Sequence, residues 1–368
     1  MFQLLQIDLV QFKNYRTQTY SFSKKVIGIC GANGTGKTNL LDAIWYLCFT
    51  KSYFSATDAQ VATQGTKGFR VAANFLWQNQ PLKVVAVVRE TGKKEITVNE
   101  ELYPRLSSHI GRLPAVMIAP DDVAIINGGS EERRRLFDTL LCQINPEYLQ
   151  RLMDYNKVVQ QRNSLLKSWS NPGPPNETLL TVLDKQLIAN GSYIYQVRNQ
   201  FLGQFLQMAT AHYHTIAQAE EAVQLTYESQ LHASPTHTPA AAFEQLLLQS
   251  RSKDLALQRT SSGTHRDDLK LLLNGLPFKQ VASQGQRKSL LFALKLTEYE
   301  MLQQHKGFAP LLLLDDVFEK LDNQRMTNLL AEVCVQKPGQ VFITDTHRHR
   351  LEAQLSAIGA DFEIIEIE

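Results

Sequence analysis

Three stretches of this 368-residue chain carry residue types whose order could handle a nucleoside triphosphate. The first is GANGTGKT, formed by Gly31, Ala32, Asn33, Gly34, Thr35, Gly36, Lys37 and Thr38, which fits the P-loop pattern G-x-x-x-x-G-K-[ST]. Its glycines admit the positive φ values that let successive N–H groups curl around phosphate oxygens. Lys37 is then expected to reach the β- and γ-phosphates, and Thr38 to ligate Mg2+. The second stretch is LLLLDD at 311–316, an apolar run ending in two carboxylates. Asp315 is expected to complete the Mg2+ shell and Asp316 to orient or deprotonate the attacking water.

The third stretch, SQGQ at 283–286, opens a long apolar run. Unpaired N–H groups and the positive end of the helix dipole converge at such a start and favour an anion. A P-loop cradles phosphates from one side. Ser283, Gly285 and Gln286 of a second copy could close the other side, burying two ATP molecules in an isologous dimer in which Ser283 joins Lys37, Asp315 and Asp316 in the catalytic set. A plain helix cap by Ser283 explains the same residues equally simply.

These groups need elements to hold them. Short apolar or alternating runs predict strands at 4–10, 26–30, 69–77, 83–90, 94–98 and 116–118. Leu40, Ala43, Ile44, Leu47 and Cys48 fall at helical spacing directly after the P-loop, so that loop joins a strand to a helix. Beyond about residue 130 the pattern turns helical, with helices over 145–169 and 179–216 around the breaker NPGPPNE, and another ending near 257. Strand character returns at DDLKLLL with the hairpin dipeptide Asn274-Gly275, and a helix over 287–303 carries apolar residues on nearly every side. The expected organisation is therefore an α/β head over 1–130 and 258–368, split by a mainly helical arm over 131–257.

Composition sets the limits. The 43% hydrophobic and 20% charged content is that of a globular protein, and 38 basic residues against 36 acidic ones leave no global field for nucleic acid, so any such binding requires a local patch. The four cysteines, Cys30, Cys48, Cys142 and Cys334, form no C-x-x-C pair and suit a reduced compartment. The opening residues alternate apolar and polar types, and no run of about 18 apolar residues occurs. A soluble, cytoplasmic protein that engages no membrane is expected.

The order of P-loop, Ser-x-Gly-Gln and Leu-rich strand with Asp-Asp resembles the ABC-type ATPases of the SMC class, with a P-loop ATPase head and an inserted short helical arm. In detail it resembles the RecF family, through LVQFKNYR, GANGTGKTNLLDAIWYL, IAPDDVAIINGGSEERRRLFD, YNKVVQQRNSLLK, SSGTHRDDL, SQGQRKSLLFALKL and LLLLDDVFEKLD, which span nearly the whole chain. The resemblance implies ATP and Mg2+ as cofactors, weak DNA-stimulated ATP hydrolysis used as a switch, an ATP-dependent homodimer, and binding to gapped duplex or single-strand to double-strand junctions. It also implies RecR, RecO and RecA as partners in recombinational repair. Residue by residue, Lys37 and Thr38 match the P-loop pair, Asp315 the metal-side Asp, Asp316 the catalytic carboxylate, Ser283 the signature serine and Leu321-Asp322 the loop at the dimer seam. Asn14 and Arg16 match the motif beside the nucleotide. Three departures stand out: Thr264 where the family has proline, Asp316 where most ABC ATPases have the longer Glu, and His347 later than a transporter's switch histidine. A transporter-like ABC ATPase and a monomeric P-loop phosphotransferase remain the alternatives.

Other charged groups have two readings. Arg133, Arg134 and Arg135, and on the arm Lys157, Arg162 and Lys167, could meet DNA phosphates or could form ion pairs and solvated helix faces. His265, Arg266, Asp267 and Asp268 suit a γ-phosphate sensor or an internal ion-pair network. His212-x-His214 and His347-x-His349 lack further ligands at metal spacing.

Overall fold

The computed structural model describes residues 2–168, 176–217, 221–233, 238–317 and 323–368. The chain divides into two compact units: Met1–Val123 with Ala211–Glu220 and Ala282–Glu368, and Ala124–Thr210 with Glu221–Val281.

Two sheets build the first unit. One is antiparallel with six strands, in the order Tyr15–Ser21, Phe2–Phe12, Phe69–Trp77, Gln80–Val88, Lys94–Val98 and Glu101–Leu102. The other is parallel with five strands, ordered Phe362–Glu366, Val26–Cys30, Val341–Asp345, Leu311–Leu314 and Ala115–Ile118. Helix Lys37–Phe49 is buried at 11 of its 13 positions because it must meet apolar partners on several sides. One core joins its Leu40, Leu41 and Ile44 to Leu9, Val71 and Val84 of the antiparallel sheet and to Ile27, Leu311, Leu313 and Phe342 of the parallel one. The central parallel strands are fully buried, which is why they read as unbroken apolar runs in the sequence. Helix Gln284–Lys306 packs against strand Ala115–Ile118 and ends at Gly307, whose φ of 73° closes the last turn in the left-handed region.

The second unit contains helices Ser130–Ile144, Pro146–Ser168 and Pro239–Leu257 and most of Glu177–Ala217, whose last residues belong to the first unit. Thr238 caps the third of these, accepting the Ala241 amide at 3.3 Å. A three-stranded sheet, ordered Leu276–Pro277, Asp268–Leu273 and Val223–Glu228, completes the unit. The expected boundary near 257 therefore moves to Val281. Strand Asp268–Leu273 pairs with Val223–Glu228, whose VQLTYE alternates apolar and polar residues but is absent from the expected strands, and so belongs with the helices. The expected boundary near 130 likewise falls earlier, after Val123. Most of the NPGPPNE breaker, and Leu321-Asp322, lie outside the described residues.

Candidate nucleotide site

Strand Val26–Cys30 delivers the chain to the P-loop, and helix Lys37–Phe49 leaves it. Gly31 has to be glycine: a Cβ there would lie 2.3 Å from the Ile367 carbonyl oxygen. Gly36 has φ 118°, and a Cβ would come within 2.9 Å of Tyr15 Oη and closer still to the Asn14 amide group. Those two residues sit at the tip of the first β-hairpin and brace the loop. Asn14 Nδ2 donates to the Thr35 carbonyl at 2.7 Å, Tyr15 Oη donates to the Gly36 carbonyl at 3.0 Å, and Asn39 Nδ2 donates to Asn14 Oδ1 at 2.8 Å. Asn14 thus acts on the loop main chain. Arg16 is exposed, with no ion pair to its side chain among the described residues. Tyr15 has its phenol pKa pushed upward by burial, so it remains a proton donor.

Ala32, Asn33 and Gly34 form the exposed crest of the loop, and Lys37 folds over it, donating to the carbonyls of Gly31 at 2.8 Å and Ala32 at 2.9 Å. One turn into the helix, Thr38 Oγ1 donates to the Asp315 carboxylate at 2.9 and 3.0 Å, joining positions 277 residues apart. Asp315 is 5% exposed, and burial raises its pKa; hydrogen bonds from Thr344 and Thr38 oppose that shift. A hydroxyl beside a carboxylate is a hard-oxygen donor pair of the type that holds Mg2+ next to phosphate, so the residues fit the implied ion. Asp316 follows with φ 47°, in the left-handed region, and its N–H donates to Thr344 Oγ1 at 2.9 Å.

Asp42 is a supporting residue that the sequence did not reveal. Fully buried on the P-loop helix, it accepts from Ser52 Oγ at 2.6 Å and the Tyr53 amide at 2.7 Å, and pairs with Lys13 Nζ at 2.7 Å. Such a residue looks like any polar position of a helix until the tertiary partners arrive.

Ser283 is exposed, and the structure shows the capping reading realised: Ser283 Oγ accepts the Gln286 amide at 3.2 Å, while Gln286 Oε1 accepts the Ser283 amide at 2.7 Å. The cap fixes the start of a helix whose interior is ionically anchored. Burial alone would lower the Lys295 pKa, but the carboxylates of Asp122 and Glu298, at 3.9 and 3.4 Å, reverse the shift and keep the ammonium charged. Tyr53 donates to Asp122 from the segment after the P-loop helix.

Several charged groups singled out in the sequence have structural work. Arg133 pairs with Asp268 at 2.6 Å and donates to the Gly128 carbonyl, and Arg134 donates to the Asp267 carbonyl at 2.7 Å. Arg162 is fully buried against Asp184 and Asp254, so its reading as a phosphate contact is overturned; amphipathic spacing could not show that two carboxylates wait on the inner face. Arg135 pairs with Glu132 at 3.8 Å, one helical turn away, whereas Lys157 and Lys167 are exposed. His265 is wedged between Tyr155 Oη at 2.8 Å and the Thr260 carbonyl at 3.1 Å, and burial pushes its pKa down to about 4. Asp267 binds Arg198 and Tyr227. The His265–Asp268 cluster is thus an internal network in which only Arg266 is exposed.

His347 is exposed at the start of helix Arg348–Ala357, where its main-chain N–H donates to Asp345 at 2.9 Å. His212 acquires partners that sequence spacing did not show: Glu300 at 2.9 Å and Glu332 at 3.7 Å, with ligand atoms of all three within 4.8 Å of one another. Lys337 contacts both glutamates, so an ammonium already supplies the positive charge there.

The sequence profile of the RecF/RecN/SMC N terminal domain matches residues 3–363. The DNA replication and repair protein RecF of Cytophaga hutchinsonii is 39% identical over 363 residues, covering 99% of this chain and 94% of that protein. RecF of Bacteroides fragilis is 37% identical over 367 residues, covering 99% and 96%. Among solved structures, the recombination mediator protein RecF with ATP, from the RecFOR pathway, superposes with a TM-score of 0.87 at 30% identity, covering 94% of this chain and 92% of that one. An Smc head domain from Pyrococcus furiosus, at TM-score 0.56 and 15% identity, shares the fold. No described helix is long and apolar enough to cross a membrane. With its P-loop, Asp315 and capped Ser283 helix in one α/β head, the chain belongs to the RecF family of SMC-class, ABC-type ATPases.

Proposed function

We propose that the protein is an ATP-dependent DNA-binding factor of recombinational repair. It dimerises on ATP, binds gapped duplex or single-strand to double-strand junctions, and works with RecO and RecR to promote RecA loading in the cytoplasm. The observation that carries the site assignment is the junction of Thr38 with Asp315, which sets a P-loop hydroxyl against a strand-end carboxylate. Support for the pathway comes from full-length similarity to proteins named RecF.

In this reading the P-loop amides and Lys37 bind the β- and γ-phosphates, and Lys37 exchanges two carbonyl partners for phosphate oxygens. Thr38 and Asp315 hold Mg2+, which when bound neutralises phosphate charge. Asp316 orients water and accepts its proton. Its side chain is one methylene shorter than Glu, in keeping with slow, DNA-stimulated turnover that serves as a release switch. Ser283, Gly285 and Gln286 of a second copy close the γ-phosphate side, since the exposed cap leaves Ser283 accessible to a partner.

Sedimentation with and without ATP tests this. Wild type should shift from monomer to dimer, and Ser283→Arg should stay monomeric while still binding nucleotide. Normal dimerisation by that variant would refute the composite site. Binding to gapped DNA should weaken steeply with salt, by about 0.9 log units of affinity per log unit of salt for each phosphate contact.

A further inference from the structure

We infer that Thr344 is a positioning residue for ATP hydrolysis, its hydroxyl locking the metal-side carboxylate Asp315 and the turned main chain of Asp316 into one unit. The inference rests on the hydrolytic reading of the site given above.

Strand Val341–Asp345 runs parallel to Leu311–Leu314, with Ile343 beside Leu314, so Thr344 lies at the level where the neighbouring strand ends and its carboxylates begin. Thr344 is fully buried. Its single hydroxyl proton goes to Asp315 Oδ1 at 2.8 Å, and the same oxygen accepts the Asp316 N–H at 2.9 Å. One hydroxyl thereby satisfies a main-chain donor and a buried carboxylate at once.

Asp316 also has φ 47°, in the left-handed region that few residues with a Cβ other than Asn and Asp adopt. Residues held in such regions persist where the surroundings over-determine them. Here the determinant is visible: Thr344 accepts the amide of the left-handed residue while donating to the carboxylate before it. Thr38 reaches Asp315 from the P-loop helix, so Asp315 is oriented from two sides. Two consecutive carboxylates with different tasks, one for the ion and one for water, are separated by that turn. Without the hydroxyl, Asp315 loses one of the two donors that orient it, and the Asp316 amide loses its bond to the neighbouring strand.

Thr344→Val keeps the shape and removes both bonds; Thr344→Ser keeps both. In the full-length protein with gapped DNA and MgATP, Thr344→Val should lose about 10- to 100-fold in kcat, with ATP affinity within about threefold of wild type. Thr344→Ser should recover kcat to within about threefold. Without nucleotide, hydrogen exchange at the Asp316 amide should accelerate about tenfold or more in the Val variant and remain protected in the Ser variant. Wild-type kcat in Thr344→Val, failure of Ser to rescue, or unchanged Asp316 exchange would each overturn the inference. Asp316→Asn separates the two claims: if it turns over ATP like wild type, the hydrolytic reading fails, while the exchange measurement still decides whether Thr344 holds that turn.

Discussion

Replacing Arg162 tests whether helix Pro146–Ser168 carries a nucleic-acid contact or a buried keystone. Its guanidinium is fully buried, with Nε on Asp184 at 2.7 Å and Nη1 on Asp254 at 2.6 Å and on Thr260 Oγ1 at 3.1 Å. Asp254 is itself fully buried and also accepts from the Ser261 amide and hydroxyl. Removing one partner of such a pair leaves an uncompensated buried charge, at a cost of about 3–5 kcal/mol. For a unit of roughly 150 residues, at about 2–4 °C per kcal/mol, Arg162→Ala should lower the Tm of the helical unit by roughly 6–20 °C. Replacing both partners, Arg162→Leu with Asp254→Leu, should recover much of that loss, because no stranded charge remains. Calorimetry of the full chain gives the Tm, and binding to gapped DNA as a function of salt gives the competing quantity. A variant that melts like wild type, yet binds DNA with a salt slope shallower by about one phosphate, would refute the structural assignment.

Two further expectations concern pH. Glu300 has its carboxyl held down to about 2 by His212, then Lys337, against the opposing effect of burial. A depressed carboxylate stabilises the fold above its unfolded pKa, so this contribution, on the order of 2 kcal/mol, should fade as pH falls from about 4.5 toward 2. Glu300→Gln should flatten the stability profile over that window, and an unchanged profile would contradict the ion cluster. His265 is held neutral down to about 4, chiefly by burial. Below pH ~6.5 the unfolded chain binds a proton that the native state refuses, so stability should fall between pH 6.5 and 4. Two-dimensional NMR of the imidazole should show no protonation above pH 5; a midpoint near 6.5 would refute the burial argument.

What the sequence determined was carried by local pattern. GANGTGKT specified a loop between strand and helix because only glycine tolerates the backbone at Gly36 and the carbonyl packed against Gly31. LLLLDD announced a buried strand with carboxylates at its end, and SQGQ announced a helix start, which the capping box at Ser283 and Gln286 realises. The helices over the arm were readable from their periodicity and breakers.

Tertiary structure alone decided which charges face one another. Arg162 and Lys157 are both basic residues of one helix, yet one is sealed against Asp184 and Asp254 and the other is exposed, since burial depends on elements dozens of residues away. Asp42, Thr344 and the Asn14–Tyr15 brace gain their roles only when a hairpin tip, a helix and a strand end converge on the P-loop. The strand Asp268–Leu273 was visible, but its allegiance was not, because hydrogen-bonded pairing is a choice among distant partners. Local chemistry is written in adjacent residues; long-range electrostatics and strand pairing exist only after the chain has closed its loops.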